Sequence, residues 1–174
     1  MYKTFVRPVL EYASPCWNPY LNKDIHLIES VQRRFTKRIP EIERLNLTYT
    51  ERLESLDLER LDLRRLKTDF IWVFKIMYGH VDLNPNDLFT FHPHAYEDYA
   101  GVRISDAQLR LQQPRFNKLC RKNFFSNRIT SPWNDLPTEI KKSKSVKAFK
   151  KYLDDVTTDP VTFNLFSYLR PLLL

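Results

Sequence analysis

Between Glu59 and Tyr78 the chain repeats apolar side chains at steps of three and four: Leu63, Leu66, Phe70, Val73 and Met77, with Phe74 widening the row. That spacing fits an α-helix with one buried face, and a strand would scatter the same residues over both sides. Gly79 follows, the residue type best able to take the left-handed backbone that ends a helix. With only 2 glycines in 174 residues, the chain has little material for tight hairpins or for loops that cradle phosphates. The expected fold class is mostly α: an irregular multi-helix bundle of about six to eight helices, with at most a short extended segment near residues 103–113.

Other helices follow from local signals. Tyr2 to Tyr12 reads as helical, with Phe5, Val9 and Tyr12 on one side and Pro8 kinking or delimiting it. Asn22 is predicted to cap a helix that places Ile25, Ile28, Val31 and Phe35 on its apolar face and stops at Pro40. Thr48 and Glu51 have capping-box spacing for a short helix to about Leu56. Asn84-Pro85 has the order of another helix start. Asn123 to Asn134 is predicted as a helix burying Phe124, Phe125, Ile129 and Trp133. Ser145 is predicted to cap a last helix with Val146, Phe149, Tyr152, Leu153 and Val156 inward.

Charge separates the chain more sharply than hydropathy does. The net charge is +7, yet residues 107 to 151 hold 12 Lys or Arg against 2 acids, so the remainder is slightly acidic. Such a localised excess suggests a face for a polyanion. Within it, RFNKLCRKNFFSNR carries the cations Arg115, Lys118, Arg121, Lys122 and Arg128 and three phenylalanines without an acid. These cations are candidate phosphate contacts, and the rings are assigned to the core. A second set, Arg33, Arg34, Lys37 and Arg38, lies off the apolar face of its helix.

No enzyme chemistry is legible. Tyr152-Leu153-Asp154-Asp155 has the form of a polymerase aromatic-x-Asp-Asp box, but it follows a helical pattern rather than sitting in a hairpin, and adjacent helical residues point about 100° apart. His80, His92, His94, Asp98 and Cys120 lack the spacing of metal ligands, and neither Cys16 nor Cys120 stands in a nucleophile motif. No cofactor is expected. The two distant cysteines read as reduced thiols of an intracellular chain, nuclear or cytoplasmic. The longest apolar run, Phe70 to Phe74, is far short of the roughly 20 residues a membrane span needs, so no membrane is expected.

The stretches FVRPVLEYASPCWNPY, IESVQRRFTKRIP, ERLESLDLERLDLRRLKTDFIWVFKI, GHVDLNPNDLF, RKNFFSNRITSPWNDLP and SVKAFKKYLDD occur in an order that resembles the region downstream of the palm in jockey-like and chicken-repeat-type non-LTR (LINE-type) retrotransposon reverse transcriptases. The likeness runs over about residues 1 to 156 and does not extend to the tail beyond. It implies a thumb-like helical part at 1–80, containing Trp17 and the Gln32-Arg33-Arg34 helix, a basic helical part at 81–156 packed with it as one domain, and an apolar tail at 157–174. It further implies an RNA or DNA backbone as partner, with Arg33, Arg34, Lys37 and Arg38 as positioning contacts. Fingers, palm with its three catalytic aspartates, and endonuclease would lie outside this chain, which is then expected to be non-catalytic. The alternative is a helical protein-interaction module whose apolar surface packs on such a palm.

Overall fold

The computed structural model describes residues 1–91 and 109–158, and these are mostly helical. The apolar tail and the residues His92, His94 and Asp98 lie outside the described residues, as does most of the expected extended segment. What can be seen of that segment is a single antiparallel bridge between Phe91 and Leu111. The helices are shorter and more numerous than expected. Two compact units form, Met1–Thr68 and a second that begins at Asp69, so the division falls inside the longest helix rather than near residue 80. Among the described residues no helix is long and apolar enough to cross a membrane.

In the first unit a π-helical turn, Tyr2–Val6, runs into α1 (Arg7–Glu11), with Pro8 in the first turn where a missing N–H costs nothing. Helix α2 (Ser14–Trp17) follows Ala13, whose φ is 50°. Helix α3 spans Asn22–Lys37 and is entered from Leu21 without a side-chain cap, so Asn22 is its first residue and not its cap. Helix α4 (Pro40–Glu43) begins on the proline that ends its predecessor. The predicted capping box starts α5 (Tyr49–Ser55): Glu51 N–H donates to Thr48 Oγ1 at 3.4 Å, and Thr48 N–H donates to Glu51 Oε2 at 2.7 Å.

Burial in this unit is largely polar. Its buried apolar residues among those described are Tyr2, Ile42, Leu53 and Leu61, whereas α3 buries Glu29, Gln32 and Thr36. The buried face of α3 is thus rotated by roughly 75° from the expected one at 100° per residue. Ile25, Ile28 and Phe35 are half-buried, and Val31 and Leu27 are exposed. Phe5, Val9 and Tyr12 do share one side, but it faces solvent at 69%, 74% and 80% exposure.

A hydrogen-bonded chain takes the place of an apolar core. Tyr2 Oη donates to Gln32 Oε1 at 2.7 Å, and Gln32 Nε2 donates to Tyr49 Oη at 3.1 Å and to the Glu59 carbonyl at 2.9 Å. Tyr49 Oη in turn donates to Glu29 Oε1, and Leu61 N–H donates to Glu29 Oε2 at 3.1 Å. Tyr2 also stacks on Phe35 with ring centroids 4.6 Å apart. Burial pushes the Tyr2 hydroxyl up to about 12, helped by the charges of Glu29 and Glu11, and raises Tyr49 further for the same first reason. Both phenols therefore stay protonated and donate at any physiological pH.

The long helix α6 (Leu61–Met77) carries the predicted stripe: Phe70, Val73 and Phe74 are buried, and Leu63, Leu66 and Met77 half-buried. It ends as predicted at Gly79, φ 66°, with Gly79 N–H bonded to the Ile76 carbonyl and His80 N–H to the Lys75 carbonyl. That pair of bonds closes the last open turn.

Apolar packing dominates the second unit. Helix α7 (Pro85–Leu88) is capped by Asn84, as expected. After α8 (Leu119–Lys122), the predicted helix 123–134 is instead two short pieces, α9 (Phe125–Arg128) and α10 (Thr130–Asp135). One further turn, α11 (Thr138–Lys141), leads to α12 (Val146–Thr158), where Ser145 Oγ accepts from Ala148 N–H as predicted. Phe149 and Leu153 of α12 are buried, but Tyr152 is half exposed; the side chain of Val156 lies outside those described.

The Phe149 ring stacks on Phe74 at 4.4 Å and lies 6.1 Å from Trp133. Trp133 and Asn134 then hold the extended chain: Trp133 Nε1 donates to the Leu109 carbonyl at 2.9 Å, while Asn134 accepts from Leu111 N–H at 2.9 Å and donates to its carbonyl at 2.7 Å. One side-chain amide thus substitutes for a neighbouring strand.

The contrast between the units is measurable. Because polar networks in a thin apolar setting open at smaller cost, amide hydrogen exchange should be faster in α3 than in α10 and α12; equal protection would refute this. A second expectation concerns pH. Glu29 is raised above the ordinary 4.5 mainly by burial, with Asp62 adding to the rise and its bonds from Tyr49 and Leu61 opposing it. An acid raised in the folded state contributes stability below about pH 4.5 that is lost as pH climbs through its native pKa. Glu29→Gln should therefore match the wild type near pH 4 and exceed it near pH 7 in urea midpoint. Parallel curves for the two proteins would contradict the assignment.

Candidate nucleic-acid interface

The first expected set of cations is brought together on one helix. Arg33, Arg34, Lys37 and Arg38 are all exposed at the C-terminal end of α3, spread over about 140° at helical spacing. Positive charge there also complements the helix dipole. Arg33 is the most constrained, with its guanidinium carbon 4.8 Å from the centre of the Tyr49 ring. It borders a cleft of about 380 Å³ whose lining includes His26, Glu29, Tyr49, Arg60 and Asp62, a mixture of both signs.

Other cations in the first unit are differently placed. Arg60 holds Asp62 through two bonds of 3.1 and 2.6 Å. Arg64 pairs with Glu11 and with Glu59 at 3.3 Å, and Lys67 pairs with Glu59. The Glu11 pairing raises Arg64 above its ordinary value, so it is charged throughout. By contrast, among the described residues none of the four α3 cations meets a carboxylate within 4.0 Å.

In the second unit Arg115, Lys118, Arg121 and Lys122 are exposed, but Arg128 is not available as the sequence suggested. Its guanidinium grips Asp69 through Nε and Nη2, both at 3.0 Å, and Asp69 is 1% exposed. Nη1 also donates to the Asn123 carbonyl at 3.2 Å, and the group lies 5.7 Å from the Phe125 ring centre. Arg128 is thereby a structural residue. Lys141, too, is buried, over Trp133 and bonded to the Asn134 carbonyl at 3.1 Å. The other ten cations of the basic segment are exposed.

The assignment of all rings to the core also needs correction. Phe125 is half-buried and meets Phe89 edge-on at 6.1 Å, but Phe124 is 55% exposed. Periodicity hid this, because it presumed a continuous helix where the chain breaks at Phe124. Asp154 and Asp155 lie exposed on helical α12, not in a hairpin. Among the described residues no cluster of His, Cys, Asp or Glu is arranged to hold a metal, and Cys16 and Cys120 are both free and exposed.

The class defined at this point is an all-α protein whose two units each present an exposed cationic surface. No family model matches the chain, and no curated protein or solved structure is significantly similar to it.

The two roles assigned to cations separate under mutation. Arg128→Ala should destabilise the protein by about 3 kcal/mol, since it strands a buried carboxylate, whereas Lys122→Ala should stay within about 0.5 kcal/mol. Urea unfolding of both checks this, and a neutral Arg128→Ala would return that residue to the surface set.

Proposed function

We propose that this chain binds the backbone of RNA or DNA without base sequence preference, as the non-catalytic thumb and post-thumb part of a non-LTR retrotransposon RNA-directed DNA polymerase. The observation that carries the reading is the selective availability of charge on α3. In a unit where Arg60, Arg64 and Lys67 are engaged by carboxylates, four adjacent cations on one helix end are left to solvent. Phosphates are the ligands such a row fits, through charge neutralisation and, for the arginines, paired N–H bonds. The resemblance to the retrotransposon polymerases supplies the family; the exposed cations supply the chemistry.

One observation favours a second reading, a protein-interaction module. The exposed row Phe5, Val9 and Tyr12 is more apolar surface than a short N-terminal helix ordinarily shows to water, and the palm of a parent polymerase is the partner that the resemblance implies. The two readings concern different surfaces and are separable.

The test removes Arg34, Lys37 and Arg38 together to alanine, sparing Arg33 because of its place over Tyr49. Binding to duplex should weaken, and the slope of log K against log salt should become shallower by about 2 to 3, near 0.9 for each phosphate no longer neutralised. Should the slope equal that of the wild type, α3 is not the binding surface.

A further inference from the structure

We propose that the exposed ring of Phe124 is a stacking platform for an unpaired base, so that the surface from Arg115 to Phe124 takes single-stranded nucleic acid in preference to duplex. The inference rests on the nucleic-acid reading above and gives one of its surfaces a substrate class.

Phe124 stands between α8 and α9 with an extended backbone, φ −63° and ψ 147°. The two successive rings therefore part company. Phe125 turns toward Phe89 and Phe124 turns to water. A single exposed phenylalanine is ordinary on a protein surface, but this one is held in place. Phe124 N–H donates to the Arg121 carbonyl at 3.3 Å, and Asn127 Nδ2 reaches that same carbonyl at 2.7 Å. Asn123 Nδ2 donates to the Leu119 carbonyl at 2.8 Å, and Arg128, anchored on buried Asp69, donates to the Asn123 carbonyl at 3.2 Å. Arg128 is thus a positioning residue for the turn that presents Phe124. A turn fixed before binding gives up little backbone freedom when a base arrives.

Its surroundings select the ligand. Lys118, Arg121 and Lys122 are exposed within six residues of the ring, and no acid occurs between residues 107 and 134. Cations that follow a backbone beside an aromatic face form the combination that binds unpaired strands with tolerance of sequence. In a duplex each base already has its faces covered by neighbours, so the ring gains nothing there. A protein partner would have no reason to depend on the presence of bases.

The experiment measures affinity of the full chain for three labelled probes: an oligothymidylate, an abasic strand of the same length, and a duplex. Phe124→Ala should weaken oligothymidylate binding about tenfold, leave the abasic strand and the duplex unchanged, and keep the salt slope, since no charge is removed. Phe124→Trp should restore binding, and circular dichroism of both variants checks the fold. Equal weakening on the abasic strand, or none on oligothymidylate, overturns the stacking proposal. If in that case the α3 triple variant still loses duplex affinity, the backbone reading stands without it. A wild-type chain that binds none of the probes at low salt removes both.

Discussion

The first unit depends on a carboxylate and an amide, Glu29 and Gln32, that one face of α3 keeps from water. Between them they collect the Tyr2 and Tyr49 hydroxyls, the Glu59 carbonyl and the Leu61 N–H. Those partners come from the N-terminal turn, from α5 and from the start of α6, so three elements are fixed against α3 by bonds whose directions are specified. Apolar packing alone would allow several rotations of a helix with so many half-exposed apolar residues. A satisfied polar network permits one. The consequence is local to this unit: it fixes which side of α3 faces outward, and the four cations are on that side.

Aromatic surface plays the corresponding part in the second unit. Phe74, Phe149 and Trp133 form a row of three rings, the first two stacked and the third tilted, to which α6, α12 and α10 each contribute one. The indole N–H and the neighbouring Asn134 amide then capture the chain at Leu109 and Leu111. With so much burial available, this unit can hold one ion pair at low exposure, Asp69 with Arg128, and use it to set a surface turn. The first unit holds a comparable pair, Arg60 with buried Asp62, but between neighbours two residues apart, so that pair ties no distant segment.

How much of this was legible in the sequence depended on how far apart the interacting groups are. The capping box of α5, the Asn84 and Ser145 caps and the Gly79 stop lie within a few residues of their partners, and all four were readable. The α6 stripe was readable because many residues vote for one direction. The buried face of α3 was not, since a hydrophobic pattern ranks Glu29 and Gln32 as surface residues and cannot know that Tyr49 and Leu61 will satisfy them. Arg128 was misread for a related reason: its partner Asp69 is 59 residues away. Phe124 was misread because a helix was extended through a point where the backbone turns; the adjacent Phe-Phe pair, unusual for a single apolar face, was the available signal.

Counting cations from composition therefore overstates a binding surface, and the structure says by which rule to correct the count. A cation counts toward a polyanion only where no carboxylate or carbonyl of the protein has already claimed it. Applied to the basic segment, the rule removes Arg128 and Lys141, and among the exposed cations it leaves are Arg115, Lys118, Arg121 and Lys122, just ahead of Phe124 in the chain. Applied to the first unit, it removes Arg60, Arg64 and Lys67 and leaves, besides scattered cations such as Lys23 and Arg44, the clustered cations at the end of α3. What distinguishes these two remaining surfaces is not their charge, which is similar, but the ring beside one of them. Charge alone gives attraction to any phosphate backbone; an exposed aromatic on a braced turn adds dependence on whether the bases are free.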